Sequence, residues 1–337
     1  GNTTFQILDA TGTPVSLIVA GESTATNIFK TNSRGTVEFD QKIPGGKYTL
    51  IEMEAPKGYQ LADPVVFEIT SSQGTATIVM NDTPVSAQIH VKKMDKVSKN
   101  HAGAGFKFAV IADENILDGS GRTYKGYEKG TTIETITTGE DGIVTSSVSL
   151  YPGKYHIEEV ETAANYHLNT DKVSFEVETV QKDGKWTAQV KGNDTATFNV
   201  EDEPVMRPIQ VLKTDADSGN IAGDSFTFTI TAKNVVDGSG AEREGFKSGT
   251  VVDTITTDGR GIATSKNLYI GTYIVKETAR KQNYVLSTKE YEVKVTDNKT
   301  SDPVKTDISD NPVKKKISVT KIDAETGNHC GAGFKFE

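Results

Sequence analysis

Three times in this chain an apolar strand pattern ends on a lysine: Ile89-x-Val91-x-Lys93, Ile209-x-Val211-x-Lys213 and Ile317-x-Val319-x-Lys321. Side chains alternate across a strand with a period of two, so each lysine shares a face with the apolar residues before it. An Asp follows two positions later each time (Asp95, Asp215, Asp323). A charge buried alone on a core face is strongly unfavourable, so a fold that buries this face must pair the amine, neutralise it or let it react.

Internal repetition orders the rest of the chain. Gly46-Lys-Tyr-Thr-Leu-Ile-Glu52, Gly153-Lys-Tyr-His-Ile-Glu-Glu159 and Gly271-Thr-Tyr-Ile-Val-Lys-Glu277 match around an aromatic strand, and each leads to a Tyr-x-Leu, at Tyr59, Tyr166 and Tyr284. The same period puts Glu52 on the face of Tyr48 and Leu50, Glu159 with Tyr155 and Ile157, and Glu277 with Tyr273 and Val275. Three further acids close inward rows: Ile78/Met80/Asp82, Phe198/Val200/Asp202 and Thr306/Ile308/Asp310. A Pro two residues after each acid cannot continue a central strand and marks the end of a unit.

The units are therefore about 1–85, 86–204 and 205–312, and residues 313–337 open a further repeat. Strand-like runs such as Phe106–Ile111, Thr132–Thr137, Ile143–Leu150, Val173–Thr179 and Trp186–Lys191 alternate with Gly/Asp/Ser turns, which predicts all-β sandwiches. Unit 1 opens at Thr4-Phe-Gln-Ile-Leu8, which aligns with Gly105-Phe-Lys-Phe-Ala109, so it reads as a sandwich lacking its lysine strand; 313–325 is a segment of the missing kind.

Composition narrows the function classes. The 337 residues carry a net charge of −9 with acids and bases interspersed, which argues against a nucleic-acid surface. Hydrophobic content is 35%, lean but arranged in alternating runs, so the chain folds rather than staying disordered. The single cysteine, Cys330, forms no intrachain disulfide or thiolate zinc site. No signal peptide and no run of eighteen apolar residues is seen, so no membrane insertion is expected.

Lys93, Glu159 and Asp202 thus point inward from the first, middle and last strands of unit 2, and Lys213, Glu277 and Asp310 do the same in unit 3. If first and last strands are neighbours, amine and carboxyl meet in a low dielectric, which favours the neutral forms of both. A neutral amine can attack a neutral carboxylic acid, with the Glu as the general acid/base that shuttles protons, leaving an amide. Held reactants reach effective molarities of roughly 10⁵–10⁸ M, which is why few groups suffice. The alternative is an ion pair with Glu as second acceptor. Both readings fit the spacing; recurrence of all three parts, in order, adds weight to the cross-link but leaves the ion pair open.

These residues resemble a known family. Val-x-Lys-x-Asp, Tyr151-Pro-Gly-Lys-Tyr155 running into the Glu strand, Glu54-Ala-Pro-Lys-Gly-Tyr59 and Ile78-Val-Met-Asn-Asp82 look like the Cna B-type, or SpaA-type, domains of Gram-positive surface adhesins and pilins. The last run is similar to the peptide half of the SpyTag/SpyCatcher pair. The resemblance implies tandem Ig-like, prealbumin-like β-sandwiches in an elongated array, each carrying a spontaneous Lys–Asp or Lys–Asn isopeptide bond, in a cell-wall-attached extracellular stalk. By position it makes Lys93, Lys213 and Lys321 the lysines, Glu159, Glu277 and Glu52 the catalytic acids, and Asp202, Asp310 and Asp82 the acceptors. Asn81 rivals Asp82, but parity puts it on the other face. Units 2 and 3 depart from the family's Ala-Pro-x-Gly-Tyr loop, with Thr162-Ala-Ala-Asn-Tyr166 and Thr278-Ala-Arg-Lys-Gln-Asn-Tyr284.

Other candidates are weaker. Histidines 90, 101, 156, 167 and 329 lack ligand spacing and read as surface imidazoles. Asp215-Ala-Asp-Ser-Gly-Asn220 resembles a calcium loop, but Phe226 stands where a bidentate Glu is required, so it reads as a turn. Cys330 aligns with Ala102 and Ala222 and is expected at a small buried site, and Gly119-Ser-Gly and Gly238-Ser-Gly read as flexible loops. No cofactor or metal is expected. Two rival functions stay open: a module binding a host protein or glycan, and accessory domains of a surface glycosidase. The complementary ends also predict head-to-tail strand complementation between copies, 313–325 of one completing unit 1 of another.

Overall fold

The computed structural model describes residues 3–70 and 74–336. Every regular element among them is a β-strand, arranged as three tandem sandwich domains, each described by itself below.

In the second domain the lysine strand, His90–Asp95, is the centre of a three-stranded sheet. It pairs antiparallel with Ile143–Thr145 and parallel with Thr197–Asp202. Parallel neighbours need a long crossover, and here the whole body of the domain supplies it. The facing sheet runs in the order Lys185–Val190, Val173–Lys182, Gly153–Glu161, Lys107–Ala112, Thr132–Thr137. The lysine strand alternates half-buried and buried residues along its whole length, so Val91 and Lys93 face the core formed with Phe106, Phe108, Tyr155 and Val200. The edge hairpin turns through Asp183-Gly184, both at positive φ (51° and 78°), as a two-residue hairpin loop requires.

The third domain repeats the plan. Ile209–Asp215 lies between Ile262–Thr264 and, in parallel, Val304–Asp310, packed against a four-stranded sheet of Val251–Thr256, Thr227–Asn234, Gly271–Ala279 and Glu290–Val295. The first domain has a sheet ordered Phe29–Lys30, Thr4–Leu8, Gly46–Glu54, Val65–Ile69 over a smaller core of Ile7, Leu17, Phe29 and Tyr48.

Four expectations are corrected. In the first domain the closing row keeps its parity, with Ile78, Met80 and Asp82 half-buried and Val79 and Asn81 exposed, but forms no ladder. In the other two domains the corresponding strand pairs in parallel with the lysine strand. Residues 313–321 likewise make no ladder, and Ile317 and Val319 stand 89% and 60% exposed. Cys330 is only half-buried, whereas Ala102 and Ala222 are buried within their sandwiches. His156 is buried rather than superficial, its Nδ1 2.6 Å from Asp113 and its Nε2 3.2 Å from Lys172 Nζ.

Candidate functional site: buried Lys, Glu and Asp

Each trio is assembled by register. Parallel pairing sets Lys93 opposite Val200 and Asp95 opposite Asp202, so Asp202 lies two residues beyond the lysine's partner and on its face. From the other sheet, Glu159 pairs with Phe108. Directly after this glutamate the ladder skips Val160; it skips Thr278 after Glu277 and Met53 after Glu52. A bulge beside each glutamate bends the strand and re-aims its side chain. These bulges were not legible in the sequence.

In the second domain Lys93, Glu159 and Asp202 are all buried. Lys93 Nζ donates to Glu159 Oε2 and to Asp202 Oδ1, and Thr162 Oγ1 donates to Asp202 Oδ2 at 3.3 Å. In the third domain Lys213 Nζ donates to Glu277 Oε2 at 2.7 Å. It also lies 2.5 Å from Asp310 Oδ1, but off the axis of a directed hydrogen bond, so the Asp310 oxygens are close to the amine without accepting from it. Phenylalanines wall both amines: Phe106 and Phe108 at 5.0 and 5.4 Å from Lys93 Nζ, Phe226 and Phe228 at 5.0 and 5.5 Å from Lys213 Nζ. The Phe-x-Phe period in both domains was the sequence signal for these walls.

The apolar walls govern proton affinity. Burial pushes Glu159 up to about 7; hydrogen bonding and charge from Lys93 work against the rise, and the neighbouring Asp202 adds to it. Glu277 is likewise raised to about 7 by burial, against the pull of Lys213. Asp202 is raised by burial, with Lys93 opposing. Glu159 and Glu277 each keep a buried Oε1 with no hydrogen-bond partner among the described residues. An orphaned buried oxygen is tolerated far better on a neutral carboxylic acid than on a carboxylate.

The first domain holds two parts of the trio. Glu52 is buried, its Oε2 accepts the Ala62 N–H at 2.6 Å, and its Oε1 has no hydrogen-bond partner among the described residues. Burial raises it, and the nearby Asp82 charge adds to this; Asp82 too is raised by burial. Lys321, by contrast, is exposed on the segment without a ladder, its Nζ 5.6 Å from the Phe334 ring. The Asp215 loop is closed on itself, Asp215 Oδ1 accepting from Asp217 N, Ser218 N and Ser218 Oγ, as a turn does.

With two sandwiches carrying one site, a comparison with known families decides the ancestry. The model of the SpaA prealbumin-like fold domain matches three times, over residues 1–84, 87–200 and 207–311. The chain belongs to this family. Among solved structures, the SpaA-family chain is similar to the Bacillus anthracis TIE protein, at 19% identity and a TM-score of 0.51 over 92% of this chain and 47% of that one; it thus spans about half of that relative's length. It is also similar to a streptococcal ancillary pilin, at 16% identity and a TM-score of 0.32 over 94% and 93% of the two chains. The shaft pilin SpaA from Lactobacillus rhamnosus GG is a third, at 15% identity and 0.26 over 69% and 100%. No curated protein matches the chain.

Proposed function

We propose that this chain is the repeat region of a Gram-positive cell-surface stalk, whose domains close autocatalytic Lys–Asp isopeptide bonds, Lys93–Asp202 and Lys213–Asp310. The observation that carries the reading is the trio itself. The same three groups are enclosed by the same strands in two domains, with the glutamate held near its protonated form.

With one carboxyl proton on the Glu, the site holds an ammonium, an Asp carboxylate and a neutral acid. Transfer of one proton from Lys93 to Asp202 gives an amine beside two neutral acids without changing the net charge. Nζ then attacks Asp202 Cγ while Glu159 donates to the developing oxyanion. Glu159 next receives a proton from Nζ and passes one to the departing hydroxyl. The C–N bond forms, a C–O bond breaks, one water leaves and Glu159 recovers its starting state. The reaction runs once per site, so the chain is a structural protein and not a turnover enzyme. Its working units are 1–85, 86–204 and 205–312, with 313–337 opening another.

The bond joins first and last strands, near the points where the chain enters and leaves each domain, so tension is carried covalently and bypasses the hydrogen-bonded ladders. Intact mass under denaturing conditions tests this: a chain two waters lighter than its sequence is expected, and the full-sequence mass refutes it. In the same reading the Glu52/Asp82 half-site accepts a lysine strand, and 313–325 of a second copy has the required sequence. Covalent oligomers that disappear with Lys321→Ala are expected at high concentration; a strictly monomeric denatured band refutes this strand exchange.

A further inference from the structure

The two Gly-Ser-Gly runs that read as flexible loops are ordered turns in which a glycine N–H donates to a tyrosine hydroxyl. In Asp118–Gly121, Asp118 Oδ1 accepts from Ser120 N, Ser120 Oγ and Arg122 N at 2.8, 2.6 and 3.0 Å, and Asp118 N donates to Arg122 O at 2.7 Å. Gly119 N, left free by this pattern, donates to the Tyr59 hydroxyl at 2.9 Å. Tyr59 is the tyrosine that follows the Glu strand of the first domain. Close by, Trp186 Nε1 donates to Ala55 O at 3.2 Å.

The arrangement recurs within the same compact unit, which comprises residues 1–204 and 237–239. Asp237 Oδ1 accepts from Ser239 N and Ser239 Oγ at 2.9 and 2.6 Å, and Gly238 N donates to the Tyr166 hydroxyl at 3.0 Å. That hydroxyl in turn donates to Asp95 Oδ2 at 2.8 Å, at the end of the lysine strand. Tyr59 and Tyr166 hold equivalent positions, seven residues after Glu52 and Glu159.

Both glycines are required by contact and not by backbone conformation, since neither has a positive φ. A Cβ on Gly119 would lie 2.8 Å from the Tyr59 hydroxyl and 3.0 Å from its ring, and one on Gly238 would collide with the Ala102 carbonyl. The first domain supplies the internal comparison. Its turn Asp9–Thr13 is bonded identically, with Asp9 Oδ1 accepting from Thr11 N, Thr11 Oγ1 and Thr13 N at 2.8, 2.7 and 2.9 Å and Asp9 N donating to Thr13 O at 2.9 Å. Ala10 occupies the glycine position there.

We propose that the Asp-Gly-Ser-Gly turn is a docking element by which one SpaA-type domain locks onto a like domain, reading the tyrosine seven residues after that domain's glutamate, and that glycine in place of alanine at its second position permits the lock. The joint does not depend on the cross-linking chemistry: its parts are a backbone N–H, a phenol and the absence of a Cβ.

The test is Gly119→Ala in the full chain, which copies the first domain's turn and so leaves the turn itself formed, beside Tyr59→Phe, which keeps the ring and removes the acceptor. Hydrogen exchange at the residue-119 amide and ¹⁵N relaxation of residues 3–85 against 86–204 are measured. Loss of one hydrogen bond predicts exchange faster by about an order of magnitude in both variants and separate tumbling of the two domains, with the denatured mass unchanged. Unchanged exchange overturns the proposal. So does faster exchange with common tumbling retained, which would make the bond a local contact of the turn. A mass change instead of a change in tumbling would place the tyrosine's role in the cross-link and also overturn it.

Discussion

Replacing Glu159 with Gln keeps the size and hydrogen-bonding reach of the side chain and removes the proton it shuttles. The second domain then folds with Lys93 and Asp202 in contact but unjoined, while the third domain keeps its bond as an internal control. The lost constraint can be estimated from the loop the bond closes. Lys93 and Asp202 are 109 positions apart, for which the chain-entropy expression developed for disulfides gives about 4.8 kcal/mol. A domain of this size unfolds with an entropy of roughly 0.24 kcal/mol per kelvin, so its midpoint drops by about 20 °C. Differential scanning calorimetry should show one transition moving down by that amount and the other staying. The denatured variant should weigh one water more than the parent. If parent and variant differ only by the substitution itself, with no water gained, the glutamate has no role in closing the bond. If both already carry the full-sequence mass, the trio is an ion pair.

Three other outcomes follow from the same geometry. Thr162→Val removes the hydroxyl that donates to Asp202 Oδ2 and should slow closure in the second domain several-fold; the third domain, where Arg280 stands at that position, should be unaffected, and time-resolved mass spectrometry of freshly synthesised chain separates the two. The reactive form of the site needs the glutamate protonated, and Glu159 and Glu277 sit at about 7. Closure should therefore fall by up to about tenfold per unit above about pH 7, and a rate that climbs from pH 7 to 9 refutes the assignment. Phe108→Ala opens a cavity beside the Lys93 amine and should cost about 3–5 kcal/mol, read from chemical denaturation of a chain that also carries Glu159→Gln; a cost below 1 kcal/mol, on the scale of an ordinary surface change, refutes its place in the wall.

The sequence by itself determined which residues face the core, because strand parity is a local property of the chain. Lys93, Lys213, Glu159, Glu277, Asp202 and Asp310 were placed inward by a period of two, and all six are buried. Recurrence added their order. Parity could not say which strands are neighbours, and this decided the rest. The parallel pairing of first and last strands, which brings lysine and aspartate together, is made across about a hundred residues of intervening chain. Met53, Val160 and Thr278 look like ordinary strand residues until the register of the neighbouring strand shows the ladder skipping them. Asp-Gly-Ser-Gly carries the composition of a mobile loop, and its glycine is distinguished from Ala10 only by the tyrosine packed against it. His156 and the closing row of the first domain were misjudged for the same reason: burial and pairing are properties of the partner as much as of the segment, and the partner is known only once the chain has folded.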